Sequence, residues 1–103
     1  MSKKTQSKEA VNTGLKERVK RPPKYNVLLH NDNYTPFAFV IIILQQIFYK
    51  TQEQALAITQ SAHKEGKAII GSYPKEIAEM KCLQAVNAAR ENGFPLSLTV
   101  EPE

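Results

Sequence analysis

Eight consecutive residues, Phe37-Ala38-Phe39-Val40-Ile41-Ile42-Ile43-Leu44, are apolar, and they follow directly on the turn-rich stretch His30-Asn31-Asp32-Asn33-Tyr34-Thr35-Pro36. A run this short cannot span a bilayer, so it is read as a core element whose N-terminal end meets a polar loop. Thr35 offers an N-cap hydroxyl and Pro36 a first helical position where the missing N–H costs nothing, which predicts a helix from about Pro36 to Tyr49. Val40, Ile43, Leu44, Ile47 and Phe48 recur at helical spacing. Ile41 and Ile42 thicken that stripe until it nearly encircles the helix, implying a central element buried on more than one side.

Around this helix the remaining segments fall into place. Arg21-Pro22-Pro23-Lys24 separates a basic N-terminal stretch from the rest, because two prolines hold extended backbone and donate no hydrogen bond. Tyr25–His30 reads as a first strand. Thr51-Gln52-Glu53-Gln54 has the spacing of a capping box and opens a second helix that Gly66 ends, with Ala55, Leu56, Ile58 and Ala62 facing inward and Thr59 and His63 beside them. Lys67–Ser72 is a second strand. A third helix follows Tyr73-Pro74 and buries Ala78, Cys82, Ala85, Val86 and Ala89, joined by Ile77 and Leu83, until Asn92-Gly93 closes it. Leu96–Glu101 alternates and forms the last strand. The order is β-α-α-β-α-β, an α+β fold with a three-stranded sheet packed against three helices: a flexible arm over 1–23 and a single domain over 24–103.

Charge distribution narrows the function classes. Residues 1–24 hold eight of the 14 basic side chains and two of the 10 acidic ones, a formal +6 that leaves −2 for the rest. The basicity therefore belongs to the arm, which contains no aromatic residue to stack on a base, and this argues against a dedicated nucleic-acid binder. A small RNA- or protein-binding domain working through the arm is the alternative reading. The N-terminal residues lack the apolar core of a secretory signal, so cytoplasmic residence is expected. The lone Cys82 cannot pair internally and sits among small helical residues, as a buried, inert thiol would.

Catalysis finds little support. His30, Asp32 and His63 are too scattered for a standard metal or acid/base constellation, and no nucleophile triad or phosphate-binding glycine loop is present. Binding is better served. Asn31 and Asp32 place acceptors at the mouth of an apolar surface, which suits a ligand with a cationic head and a greasy side chain, such as a free protein N-terminus with a bulky first residue. The same Asn-Asp-Asn before Thr-Pro is also ordinary turn chemistry.

Asn31-Asp32-Asn33-Tyr34-Thr35-Pro36, followed by Phe37, Phe39 and Val40, closely resembles the signature of the ClpS family, the adaptors that deliver N-end-rule substrates to the Clp ATP-dependent protease. His63-Lys64-Glu65-Gly66-Lys67-Ala68 resembles that family's histidine-to-glycine turn. Gly71 with Tyr73–Lys81 is similar to its third-helix entry, and Ala89-Arg90-Glu91-Asn92 with Pro95-Leu96 to its C-terminal end. The match runs from about Pro22 to Glu101. The resemblance implies a monomeric, non-enzymatic adaptor without metal or cofactor, binding neither nucleic acid nor membrane. Its pocket would capture an N-terminal Leu, Phe, Tyr or Trp. Asn31, Asp32 and His63 would hold the α-amino group; Phe37, Val40, Thr59, Ala62 and Leu96 would line the side-chain pocket, with Asn33 and Thr35 near the rim. Glu76 and Lys81 would dock on the N-terminal domain of a Clp AAA+ ATPase, although on their own they also read as solvated helix charges. At Asn33, Phe37, Thr59 and Ala62 the chain departs from the commoner Asp, Met, Met and Val of the family.

Overall fold

The computed structural model describes residues 22–103; the arm assigned to residues 1–23 lies almost wholly outside them. Strand β1 (Lys24–His30) leads into helix α1 (Phe37–Gln46), then come helix α2 (Gln52–Glu65), strand β2 (Lys67–Pro74), helix α3 (Lys75–Glu91) and strand β3 (Ser97–Pro102). The expected β-α-α-β-α-β order is the observed one. β1 is the central strand, antiparallel to β2 on one side and to β3 on the other. A bulge interrupts the β1–β2 register, where Val27 faces Gly71 but Leu28 faces Ile69, so Ile70 is the extra residue and turns into the core.

One cluster holds the domain together: Val27 and Leu29 from β1, Val40, Ile43, Leu44 and Phe48 from α1 and its end, Ala55 and Ala62 from α2, and Ala78, Cys82, Ala85 and Ala89 from α3. The small residues at helical spacing on α2 and α3 let each of these helices approach the sheet closely, since a helix face of alanines presents no ridge. Burial raises the pKa of the Cys82 thiol, which favours its neutral, unreactive form.

Several sequence expectations need correction. α1 is not encircled by contacts: Ile42 is 46% exposed, and the buried stripe is Val40, Ile43 and Leu44. The helix also stops at Gln46 rather than Tyr49, because Tyr49 takes a left-handed φ of 56° and the Lys50 N–H folds back onto the Leu44 carbonyl at 3.0 Å. On α2 the buried residue is Thr59 and the exposed one Leu56. On α3 the alanine face points inward, which turns Ile77 and Leu83 outward, the latter 62% exposed.

The α1 terminus is secured from α3. Nζ of Lys81 donates to the Ile47 carbonyl at 2.8 Å. The ammonium lies 4.7, 5.5 and 5.9 Å from the ring centroids of Tyr49, Tyr73 and Phe48. One cation thus satisfies an orphan helix carbonyl and sits among three electron-rich rings. Replacing Lys81 by Met keeps the stem and removes the charge. We expect this variant to lose about 1–3 kcal/mol, read as a lower urea midpoint at unchanged m-value.

Candidate functional site

Where β1 ends, β3 begins and the N-terminus of α1 meets the flank of α2, the surface sinks into a recess of about 270 Å³, solvent at its mouth included. β1 contributes Leu29 and His30, and the following loop Asn31, Asp32 and Thr35. Helix α1 adds Phe37 and Val40, α2 adds Thr59 and Ala62, and Leu96 closes the wall just before β3. The structure brings together eight of the residues singled out from the sequence: Asn31, Asp32, Thr35, Phe37, Val40, Thr59, Ala62 and Leu96.

The loop owes its shape to Asp32. Its Oδ1 accepts the backbone N–H groups of Tyr34 at 2.8 Å and Thr35 at 2.7 Å, and its Oδ2 accepts the Thr35 hydroxyl at 2.9 Å. This is an Asx turn reinforced by a side chain. The Thr35 hydroxyl is not a helix cap as its position suggested, because the helix begins one residue later: Pro36 occupies the cap position and no side chain bonds there. The Asn31 N–H donates to the carbonyl of Gly66 at 2.9 Å. Gly66 sits at φ 94°, a conformation suited to glycine, so the end of α2 is joined to the same loop.

Burial by itself would raise the Asp32 pKa, but the N–H groups of Thr35 and Tyr34, the Thr35 hydroxyl and the charge of Arg90 outweigh it, and the net shift is downward. The carboxylate stays ionised well into the acid range. A carboxylate has about four acceptor positions; three are taken inside the loop, which leaves one on Oδ2 together with the negative charge.

Polar and apolar parts of the recess are separated. Thr59 is 3% exposed, and its hydroxyl donates to the Ala55 carbonyl one turn back at 2.8 Å, so no free donor faces the interior from that wall. Leu29, Val40, Ala62 and Leu96 complete an apolar floor. Two expected residues stand apart. Asn33 occupies the exposed corner of the Asx turn, outside the lining, because the turn closes around Asp32 on its other side. His63 is exposed and packs edge-on against Phe37, with ring centroids 5.2 Å apart and planes at 76°, so it reaches the recess through Phe37.

Leu29 and His30 line the recess without any sequence signal that assigns them there. His30 Nε2 lies 2.7 Å from the Thr99 hydroxyl, linking β1 to β3 beside the site. Among the described residues no three His, Cys, Asp or Glu side chains converge to hold a metal ion. Nor does any helix there have the length and apolarity to cross a membrane. The alternative reading through the basic arm concerns residues outside those described.

The family model described as ATP-dependent Clp protease adaptor protein ClpS matches residues 20–99. The chain belongs to the ClpS family. It is 49% identical over 87 residues to the ClpS adapter protein of Lawsonia intracellularis, covering 84% of this chain and 80% of that protein. To the adapter of Myxococcus xanthus it is 43% identical over 88 residues, 85% of this chain and 82% of the relative. Among solved structures, Agrobacterium tumefaciens ClpS2 bound to L-phenylalaninamide superposes with a TM-score of 0.78 at 38% identity, covering 81% of this chain and all of that one. The Lawsonia and Myxococcus relatives are named as adapters of the Clp protease, not as enzymes, and the ClpS fold expected from the sequence is the fold observed.

The lowered Asp32 pKa has a consequence for stability. Because the folded state holds the carboxyl below its ordinary value of 3.8, the loop's contribution is present above that value and is lost as pH falls through the folded one. Wild type should exceed Asp32→Asn in urea midpoint at pH 7, and the gap should narrow on acidification to about pH 2. A gap independent of pH would rule out the charge as its source.

Proposed function

We propose that the recess binds the free α-amino group and the bulky apolar side chain of a protein's first residue, and that the domain presents such substrates to a Clp ATPase. The observation that carries this reading is the segregation within one small cavity: an ionised carboxylate and amide at the mouth, an apolar floor behind them. An α-ammonium has three donors and a positive charge, and we assign it the remaining acceptor position on Asp32, the Asn31 side-chain oxygen and a ring nitrogen of His63. The next atoms of a first residue are its side chain, which the floor of Leu29, Val40, Thr59, Ala62 and Leu96 can cover. L-phenylalaninamide, the ligand of the Agrobacterium relative, has this chemistry, its amide standing in for the first peptide bond. Asn33 is assigned to the rim, and the His63 ring is supported by its edge-on contact with Phe37.

Neither half of the recess suffices alone. Burying a Leu- or Phe-sized side chain contributes about 1.5–3 kcal/mol, and a charge-assisted hydrogen bond about as much, against an association penalty of at least ~4 kcal/mol. Removing the amine's charge should therefore remove measurable binding. A fluorescein-labelled peptide beginning with Phe is expected to bind in an anisotropy titration, and the same peptide acetylated at its α-amine to bind at least tenfold more weakly. Equal affinities would defeat the proposal. First residues Leu, Phe, Tyr and Trp form the expected ligand class. Thr59→Met, which fills part of the recess, should shift the relative affinities within that class.

For the ATPase we assign the exposed face of α3 that carries Glu76, with Lys81 at its edge. Lys81 is already bonded to Ile47, so a substitution there also loosens α1, and Glu76 gives the cleaner test. Glu76→Lys should weaken capture of a Clp ATPase N-terminal domain in a pull-down while leaving peptide affinity unchanged.

A further inference from the structure

The segment between α3 and β3, Asn92 to Leu96, belongs to no regular element, yet it ends in a residue that walls the recess. Pro95 has no N–H to anchor it. Its carbonyls are held instead from one side chain: Nη1 of Arg90 donates to the carbonyl of Phe94 at 2.8 Å and to that of Leu96 at 2.9 Å, bracketing the proline. The Phe94 N–H returns to the Ala89 carbonyl at 2.8 Å, and Asn92 Nδ2 donates to the Ala88 carbonyl at 2.9 Å. The Phe94 ring meets Phe39, the residue before Val40 in the chain, edge-on with centroids 4.9 Å apart. Leu96 is left 1% exposed.

The guanidinium suits this task because its nitrogens carry hydrogens in a fixed plane, so one Nη can aim at two carbonyls at once; an ammonium has charge but no such fork. The charge of Arg90 is also felt by Asp32, which puts the same cation within reach of the polar mouth.

We propose that Arg90 is a positioning residue for the recess, fixing the Leu96 wall through the Phe94 and Leu96 carbonyls and thereby setting which first residues fit. The inference rests on the binding reading above. It differs from a general stabilising role because a wall that moves changes relative affinities, whereas a loss of global stability leaves the folded fraction's preferences intact.

The test is an anisotropy panel of peptides beginning with Phe, Leu, Trp and Ala against wild type, Arg90→Lys and Arg90→Met, with urea midpoints recorded in parallel to select conditions where each variant is folded. Arg90→Met should weaken the Phe peptide about tenfold, as loss of charge-assisted bonds would, and should narrow the spread between Phe and Ala. Arg90→Lys, able to reach one carbonyl, should fall between. Should Arg90→Met fail to fold, the Arg90→Lys panel alone decides. A variant that keeps the wild-type ratios across the panel overturns the proposal. If wild type itself shows no preference for Phe over Ala, the reading of the recess fails first, and this inference with it.

Discussion

A carboxylate closed into its own loop is the constraint on which the site depends. Asp32 gathers two backbone N–H groups and one hydroxyl from the residues just after it. This defines the turn that starts α1 and directs the remaining negative charge toward the recess. Had those N–H groups been left to water, the stretch from Asn31 to Pro36 would have many accessible conformations, and an acceptor for an ammonium would have to be ordered at each binding event. The internal bonds that lower the pKa of Asp32 are therefore the same bonds that preorganise it.

The rest of the fold brings apolar walls to that loop from distant points of the chain. A central β1 flanked by two antiparallel strands puts the end of β1 and the start of β3 side by side, His30 opposite Ser97. Small residues on α2 allow close packing, so that Ala62 and Thr59 share one cavity with Leu96 and Val40. Thr59 contributes without adding polarity because its hydroxyl is bonded within its own helix. Secondary ties, Lys81 to Ile47, Asn31 to Gly66 and Arg90 to Leu96, hold the ends of elements that would otherwise fray next to the site.

Much of this was legible in the residues. Period, capping box and breaker positions located all six elements, since Thr51, Gly66, Pro74 and Gly93 act locally and need no tertiary information. The alanine face of α3 was legible for the same reason. Where tertiary contacts decide, the reading slipped. Ile42, Ile77 and Leu83 are apolar yet exposed, because among the described residues nothing covers that side of their helices. Thr35 has a cap residue's side chain, but the helix begins one residue later, with Pro36 at the cap position. Of the site, the loop and the α1 and α2 walls could be named from motif resemblance, whereas Leu29, His30 and Arg90 act through geometry that no local pattern encodes.

The central claim is that an unblocked amine and an apolar side chain are recognised together at this loop. Titrating the ¹⁵N-labelled protein with L-phenylalaninamide, and separately with its N-acetyl derivative, tests it residue by residue in amide correlation spectra. The account predicts saturable shifts concentrated at Asn31, Asp32, Thr35, Val40, Thr59 and Ala62 for the free amine and none at matched concentration for the acetylated form. Shifts clustered on the outer face of α3, or identical responses to the two compounds, would contradict it.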